Sequence, residues 1–293
     1  PPATPITVGD LLLHTSGLSH RTSELYGRLQ VRSRADTLPE FVTKIARAPL
    51  MEDPQTRFRY SEATTVLGRL VEVWSGQALD AYLDTHVLGP LGMRDTRFWV
   101  PPADAARLAT VYGPSPTGGL RRVETEAVPF TEKPALLEGA VGLVSTVPDY
   151  LRFAQMLLDK GTLGGTRVLE AATVGGMTVN GLPEAVLRAR GGPKGWGLAN
   201  VDVLVDPGDS GASRGEFGWD GTAGTIFWVD PVKDTVVVLM TQSVPANPGG
   251  LRQAFKALVQ RAVASVLAPG DRWVPLPDGD GASRRRASCR SDS

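Results

Sequence analysis

Two stretches of this sequence carry residue types that are suited to chemistry. The first is residues 58–62, Phe-Arg-Tyr-Ser-Glu, in which Tyr60 directly precedes the best-patterned helix of the chain. A phenol at a helix N-terminus lies where the helix dipole favours negative charge, so Tyr60 is a candidate functional residue. The second is residues 218–224, where glycines mark a close approach to a strand and N–H groups can bind an oxyanion. The residues alone leave two alternatives open, a packed surface tyrosine and an ordinary glycine-rich turn.

A serine motif elsewhere in the chain suggests a different nucleophile. Residues 211–215 read Gly-Ala-Ser-Arg-Gly, which matches the G-x-S-x-G elbow of α/β-hydrolases and would make Ser213 reactive. That elbow requires a buried strand before the serine and a helix after it. Residues 206–210 predict a loop and residues 216–219 predict a strand. The sequence therefore argues against an elbow at Ser213.

The histidines and the single cysteine do not form a metal-binding pattern. His14, His20 and His86 show no metal-ligand spacing, and Cys289 lies in a polar C-terminal stretch. We therefore predict no metal and no cofactor. His14 is a further candidate base, although a lone histidine at a helix end is more often structural.

Composition and charge argue against several classes of partner. The 293 residues contain 31 basic and 31 acidic side chains, and this balance argues against nucleic acid as the main partner. No apolar run approaches the roughly 18 residues that a membrane span needs. Residues 1–5 lack the charged and apolar regions of a signal peptide, which favours the cytoplasm while leaving the compartment undefined.

The helix that follows Tyr60 is predicted from one apolar stripe. Six residues at helical spacing share a face: Ala63, Val66, Leu67, Leu70, Val71 and Trp74. Ser61 is the predicted N-cap, because its hydroxyl can accept a hydrogen bond from the first turn, and Gly76 is the predicted end. Burial of the stripe would contribute roughly 1.5–3 kcal/mol for each large side chain, which would hold Tyr60 on a rigid element.

The remaining patterns predict mostly helices first and strands last. Further helices are expected over residues 6–13, 38–48, 78–88, 147–159, 170–179 and 251–266. Strands are expected over residues 195–199, 201–205, 216–221, 225–229 and 235–240, the last two joined as a hairpin. A long ordered loop with short strands is expected over residues 99–135, and residues 181–215 are expected to be rich in loops around the first two predicted strands. We predict one domain over residues 1–274, mainly helical over 1–190 and formed by strands and a closing helix over 191–274, with a disordered tail at 275–293.

Five segments, in this order, resemble the serine β-lactamase and penicillin-binding-protein superfamily. The closest branch is that of the class C β-lactamases and the esterases built on the same fold. The segments are residues 5–18 with His-Thr-Ser-Gly-Leu, Tyr60-Ser61-Glu62 at the Tyr-x-Asn position, residues 90–96, residues 142–146, and Trp219-Asp220-Gly221 at the position of Lys-Thr-Gly or Trp-x-Gly. The resemblance, which extends from about residue 5 to 268, implies an α+β fold. Such a fold has an antiparallel sheet flanked by helices and a mostly helical region.

The resemblance also implies a mechanism. In the family, the serine of Ser-x-x-Lys attacks an ester or amide carbonyl and forms an acyl-enzyme. Tyr60 takes the position of the general base or acid, which nearby positive charge would help to ionise. The N–H of Thr222 takes the position of an oxyanion donor, with Trp219 and Gly221 at the substrate edge.

Two departures from the family pattern affect these expectations. Ser-x-x-Lys does not occur in the 293 residues, so we expect a truncated sequence that lacks the first strands and the nucleophile helix. Such a fragment would leave an unpaired strand edge. Glu62 replaces the asparagine of Tyr-x-Asn, which leaves its role undefined, and Trp219 replaces the lysine of Lys-Thr-Gly. Both replacements favour a neutral ester over a β-lactam.

These observations support three functional hypotheses. The first is a serine hydrolase that acts on small-molecule esters or amides through an acyl-enzyme, in the manner of a carboxylesterase. The second is a β-lactamase or a D-amino-acid peptidase on the same fold. The third is a non-catalytic binding protein that keeps the fold. The sequence does not define the oligomeric state.

Overall fold

A computed structural model of the protein describes Pro2 and residues 4–266. Contacts divide the chain into a large unit, Pro1–Pro248, and a second unit, Gly249–Ser293, which is described over one helix, α10 (Leu251–Val266). That helix covers the segment predicted from its apolar stripe. The tail predicted for residues 275–293, Cys289 and the predicted domain end at residue 274 lie outside the described residues.

The helices of the large unit occupy mostly the first two thirds of the chain. They are α1 (Val8–Leu12), α2 (Glu24–Arg28), α3 (Leu38–Ile45), α4 (Ala63–Ser75), α5 (Leu79–Leu83), α6 (Gly89–Leu91), α7 (Val147–Leu158), α8 (Ala171–Met177) and α9 (Glu184–Arg190). The capping boxes at Thr7 and Thr37 and the side-chain cap at Thr146 explain why α1, α3 and α7 begin where they do.

Two helical predictions need correction. The helix expected over residues 78–88 is broken, because α5 passes into a wider π turn over Asp84–Leu88. The loop expected over residues 181–215 contains α9, which packs Val186 against the buried Trp196. This helix depends on a tertiary contact rather than on a cap, since Pro183 at its N-cap provides no side-chain hydrogen bond.

The central sheet is antiparallel and has the strand order β5-β6-β7-β8-β9. Its strands are β5 (Lys194–Gly197), β6 (Val201–Leu204), β7 (Phe217–Asp220), β8 (Ile226–Asp230) and β9 (Thr235–Leu239). Two short hairpins precede them, β1 (Tyr112–Pro114) with β2 (Leu120–Arg122), and β3 (Thr162–Leu163) with β4 (Thr166–Arg167). The predicted hairpin between β8 and β9 is confirmed, with Asp230 opposite Thr235. Among the described residues, β9 is an outer strand that pairs with β8.

Helix α4 shows one confirmed end and two errors of prediction. Gly76 ends it in the left-handed conformation, with φ of 70°, as predicted. The N-cap residue is Glu62 rather than Ser61, although the Ser61 hydroxyl still accepts from the Ala63 N–H at 3.3 Å. Trp74 is 68% exposed and so is not part of the buried stripe. Helical spacing identifies which face is apolar, but it does not say how far along the helix neighbouring elements reach.

Three apolar clusters organise the large unit. A helical core includes Leu11, Phe41 and Ala63, and a second core packs α7 against the sheet through residues such as Met156 and Val229. A third, smaller cluster joins residues from the helical region and the sheet. It contains Leu182, Val186, Trp196, Leu13, Phe58, Tyr60, Leu187 and Trp219. Tyr60 therefore lies in a small cluster that includes two residues of the sheet, Trp196 and Trp219.

Candidate active site

Tyr60 and Trp219 meet in the structure although they are far apart in the sequence. Their rings lie 5.1 Å apart, centroid to centroid, with an angle of 38° between the ring planes. Tyr60 is held by the segment before α4, and Trp219 by the middle of the sheet in β7. The tertiary structure thus brings the predicted base and the predicted substrate edge into one site.

A buried tryptophan supports this contact from behind. Trp196 has no exposed surface, its ring lies 4.7 Å from that of Trp219, and its indole N–H donates to the Leu12 carbonyl at 3.1 Å. The Arg190 guanidinium lies 4.2 Å from the centre of the Phe58 ring and covers this aromatic group at one side. Such packing leaves the rings few alternative positions, because each is fixed by several neighbours.

His14 is the nearest ring to Tyr60, at 4.7 Å, and is fully buried. Its Nδ1 lies 3.1 Å from the Ser61 hydroxyl, and its carbonyl accepts from the Arg59 N–H at 2.8 Å. Burial lowers the pKa of His14 to about 3, although hydrogen bonding with Asn200 acts in the opposite direction. The imidazole is therefore neutral at physiological pH and is a poor proton acceptor. Its position suits a structural role, in which it holds the segment that carries Tyr60.

Glu62, which follows Tyr60 by two residues, is also fully buried. One carboxylate oxygen accepts from both the backbone N–H and the guanidinium of Arg21, each at 3.1 Å, and the other lies 3.4 Å from the Thr65 hydroxyl. The Nε2 of His20 lies 3.9 Å from the same oxygen that binds Arg21. Glu62 is thus the centre of a buried ionic group in which both of its carboxylate oxygens have partners.

The electrostatic surroundings of Tyr60 favour the protonated phenol. Burial raises the pKa of Tyr60 above its ordinary value of 10.0, and hydrogen bonding from Trp219 lowers it. The negative charge of Glu62 raises this pKa further, whereas the positive charge of Arg21 lowers it. Since the net shift is upward, Tyr60 in this chain is neutral at pH 7. The family mechanism calls for additional positive charge at this phenol before it can act as a base.

The sheet is incompletely paired beside Trp219. Strand β8 pairs with β7 from Phe217 to Asp220, whereas β6 pairs with Phe217 and Gly218. The pairing between β6 and β7 therefore stops at Gly218, and the register places Val201, the first residue of β6, beside Trp219.

The turn after β7 presents the amide predicted to bind an oxyanion. Gly221 donates its N–H to the Thr225 carbonyl at 2.8 Å, and a Cβ at residue 221 would lie 2.1 Å from the Thr225 hydroxyl. This close approach explains why residue 221 is a glycine. Thr222 is exposed, and its N–H has no hydrogen-bond acceptor within residues 4–266. That amide is geometrically available to a ligand.

The alternative nucleophile, Ser213, lies outside this site. The residues before it form a turn and bends, and a second turn at residues 214–215 leads into β7, so no strand-turn-helix elbow exists there. The prediction that this G-x-S-x-G match lacks the required context is confirmed. Within the part of the chain that the structure describes, no group of three His, Cys, Asp or Glu residues is placed to hold a metal ion. Over the same residues, no helix has the length and apolar character that crossing a membrane requires.

Sequence reasoning missed three residues that surround Tyr60. Trp196 and Arg21 belong to no recognised motif, and nothing in their local sequence indicates their place in the site. His20 was noted only as a histidine without metal spacing, although it lies two residues after His-Thr-Ser-Gly-Leu. Closeness to that segment was the single signal that pointed to His20.

The helical region, the antiparallel sheet and the tyrosine between them define the β-lactamase/transpeptidase fold, as predicted. The chain belongs to the beta-lactamase family, whose model, described as Beta-lactamase, matches residues 1–261. This is a family of serine hydrolases whose members include esterases and peptidases.

Individual relatives differ in their activity. Esterase EstB of Burkholderia gladioli is 31% identical over 274 residues, which cover 84% of this chain and 67% of EstB. Penicillin-binding protein 4 of Amycolatopsis lactamdurans is 33% identical over 269 residues, which cover 90% of this chain and 65% of that protein. The chain therefore spans about two thirds of the length of these curated relatives.

A solved structure shows the same fold. It is that of EstCE1, described as a hydrolase with promiscuous acyltransferase activity. The two chains superpose with a TM-score of 0.74 and 27% sequence identity, over 88% of this chain and 72% of EstCE1.

Proposed function

We propose that this chain provides the general base and the substrate edge of a serine hydrolase that cleaves small-molecule esters. Once it is ionised by the additional positive charge that the family mechanism calls for, Tyr60 accepts the proton of the attacking hydroxyl and later returns a proton to the leaving oxygen. The Thr222 N–H donates to the oxyanion of the tetrahedral intermediate. The observation that carries this proposal is the 5.1 Å contact between the rings of Tyr60 and Trp219. That contact joins an ionisable group to a strand edge with an available amide.

Two features favour an ester over a β-lactam or a peptide. Trp219 occupies the position at which the β-lactamases have a lysine. Its half-buried indole carries no charge, so this part of the substrate edge cannot bind a substrate carboxylate by charge. Glu62 stands at the asparagine position, but it is buried and bonded to Arg21, so its carboxylate does not reach a substrate amide. The similarity to EstB and EstCE1 supports the same preference.

The nucleophile is not assigned to a residue of this chain. Ser-x-x-Lys does not occur in the 293 residues, so the activity is tested on the complete gene product. A fluorophosphonate probe identifies the reactive serine there. Labelling of a serine upstream of Pro1 supports the acyl-enzyme mechanism, whereas labelling of Ser213 contradicts it. A product with neither label nor ester turnover indicates a non-catalytic binding protein.

The role of Tyr60 is tested with the Tyr60→Phe variant of the complete gene product. Removal of the hydroxyl deletes the proton-transfer group, so kcat for a p-nitrophenyl ester is expected to fall by roughly 10²–10⁴. The matched control is Tyr82→Phe, which removes a phenol whose ring lies in a tilted contact with His86 instead. Equal rates in the two variants would overturn the base role.

Substrate preference is tested by direct comparison of short-chain esters, nitrocefin and D-amino-acid peptides with the same enzyme. The ester is expected to have the highest kcat/KM. Faster turnover of nitrocefin would favour the β-lactamase alternative, and faster turnover of the peptide would favour the peptidase.

A further inference from the structure

His20 is a second histidine at the ring of Tyr60. Its imidazole lies 5.7 Å from the phenol ring, centroid to centroid, with only 28° between the ring planes. The arrangement is a stacked one, unlike the tilted contacts that Tyr60 makes with His14 and Trp219. The His20 side chain is 30% exposed, so it reaches both the phenol and the solvent.

The orientation of this imidazole is set at both ring nitrogens. Nδ1 lies 2.7 Å from the Thr22 hydroxyl and accepts the Thr22 backbone N–H at 3.3 Å. Because Nδ1 accepts a hydrogen bond from the backbone, the neutral ring carries its hydrogen on Nε2. Nε2 lies 3.9 Å from the Glu62 carboxylate, which is beyond hydrogen-bonding distance and leaves only an electrostatic attraction. Nδ1 is therefore hydrogen-bonded to Thr22, whereas Nε2 faces the charge of Glu62.

The Glu62 end of this connection is itself immobile. The Glu62 carboxylate has no exposed surface and accepts two hydrogen bonds from Arg21. The Glu62 backbone N–H donates to the Ser19 carbonyl at 3.1 Å, next to His20. The start of α4 and the segment around residue 20 are thus joined by three hydrogen bonds, one of which is also an ion pair.

We propose that His20 is a positioning residue for Tyr60. The imidazole of His20, hydrogen-bonded to Thr22 and facing Glu62, stacks on the phenol and fixes its direction against Trp219. The inference rests on the base role of Tyr60 proposed above. A phenol that loses its stacked neighbour samples a wider range of ring orientations. Misplacement of a catalytic group by about 1 Å lowers the rate by as much as roughly 10²-fold, so restriction of the ring is sufficient to affect turnover.

The first test uses the chain itself and reads the environment of Tyr60 without activity. Tyrosine labelled with ¹³C at Cζ gives a resonance for each phenol, and the Tyr60→Phe variant assigns the one from Tyr60. His20→Ala is expected to shift this resonance and its titration midpoint. His20→Phe keeps an aromatic ring in the stack and is expected to recover the resonance position in part.

The matched control is His86→Ala, because His86 contacts the ring of Tyr82 at 4.5 Å in a different part of the fold. It is expected to shift the Tyr82 resonance and to leave that of Tyr60 in place. A Tyr60 resonance that does not respond to His20→Ala would overturn the positioning role. Should His20→Ala fail to fold, Thr22→Val removes the hydroxyl contact at Nδ1 and serves as the second variant.

The second test measures turnover in the complete gene product. His20→Ala is expected to lower kcat about 10- to 100-fold while KM changes by less than about twofold, because position rather than binding is lost. His20→Phe is expected to recover most of the rate. Loss of rate in Tyr60→Phe with an unchanged rate in His20→Ala overturns the positioning role alone. Unchanged rates in both variants overturn the base role as well.

Discussion

His14 and His20 both lie against the ring of Tyr60, but they occupy opposite environments. His14 has no exposed surface, and its Nδ1 meets the Ser61 hydroxyl. The side chain of His20 is 30% exposed, and its Nε2 faces the Glu62 carboxylate. One imidazole is enclosed by aromatic rings, and the other stands between a carboxylate and solvent.

The comparison shows that surroundings rather than residue type decide what a histidine does beside a phenol. Burial without a carboxylate partner lowers the pKa of His14 to about 3, which makes it a permanently neutral part of the core. Burial also lowers the pKa of His20, but the neighbouring Glu62 charge opposes the shift. We therefore assign His14 to stability and His20 to the position of Tyr60.

The largest expected effect concerns acid stability. Below pH 6.5 the unfolded chain protonates His14, whereas the folded chain does so only near pH 3. The unfolded state thus binds more protons in this window, so the free energy of unfolding falls as the pH falls. The contribution is roughly 1.4 kcal/mol per pH unit, or about 4–5 kcal/mol across the window. Above pH 6.5 His14 is neutral in both states, so its titration no longer lowers the free energy of unfolding.

The measurement is urea unfolding of the wild type and His14→Asn from pH 7 to pH 4. Asparagine does not titrate and tolerates the left-handed backbone of residue 14, with φ of 53°. The variant is expected to lose stability less steeply than the wild type. His20→Asn should flatten the dependence less, because His20 is partly exposed. Parallel curves for the wild type and His14→Asn would contradict the neutral, buried state of His14.

The second effect compares the two histidines at pH 7. His14→Ala removes a fully buried ring and a hydrogen-bond partner of Ser61, so it should lower the free energy of unfolding by about 2–4 kcal/mol. His20→Ala removes a partly exposed ring and should lower it by less than about 1 kcal/mol. Denaturant titration of both variants measures the difference. Equal losses would show that both rings serve stability, which would contradict the assignment of different roles to His14 and His20.

The smallest effect removes the carboxylate that distinguishes the two environments. Glu62→Gln leaves the Arg21 guanidinium without its charged partner. Because the Arg21 side chain is only 17% exposed, water does not fully replace that partner. The free energy of unfolding should fall by about 1–3 kcal/mol. The pKa of Tyr60 should fall too, because the Glu62 charge that raises it is gone.

Denaturant unfolding and the Tyr60 ¹³C titration measure both quantities in one variant. Glu184→Gln is the matched control, because Glu184 is 81% exposed and pairs with Arg188 at the surface. Its effect on stability should be near zero. A Tyr60 pKa that rises in Glu62→Gln would mean that the carboxylate is not the group that raises it.

Sequence reasoning succeeded where a local signal exists. The end of α4 at Gly76 and the start of α7 at Val147 depend on residues that are neighbours in the sequence, and both were predicted. The β8–β9 hairpin was predicted because β-branched residues flank a Pro-containing turn. Helix α9 and the exposure of Trp74 were not predicted, since both depend on which distant residues pack nearby.

The amino-acid sequence alone determined the helical and strand regions, the family resemblance, and Tyr60 and Trp219 as the candidates for chemistry. It also contained the two replacements, Glu62 and Trp219, that turn the expected substrate toward an ester. Only the tertiary structure decided that Tyr60 meets Trp219, that His14 is neutral and that His20 stacks on the phenol. Ring contacts and pKa shifts depend on distance and on loss of water, and these are set by folding rather than by position along the chain.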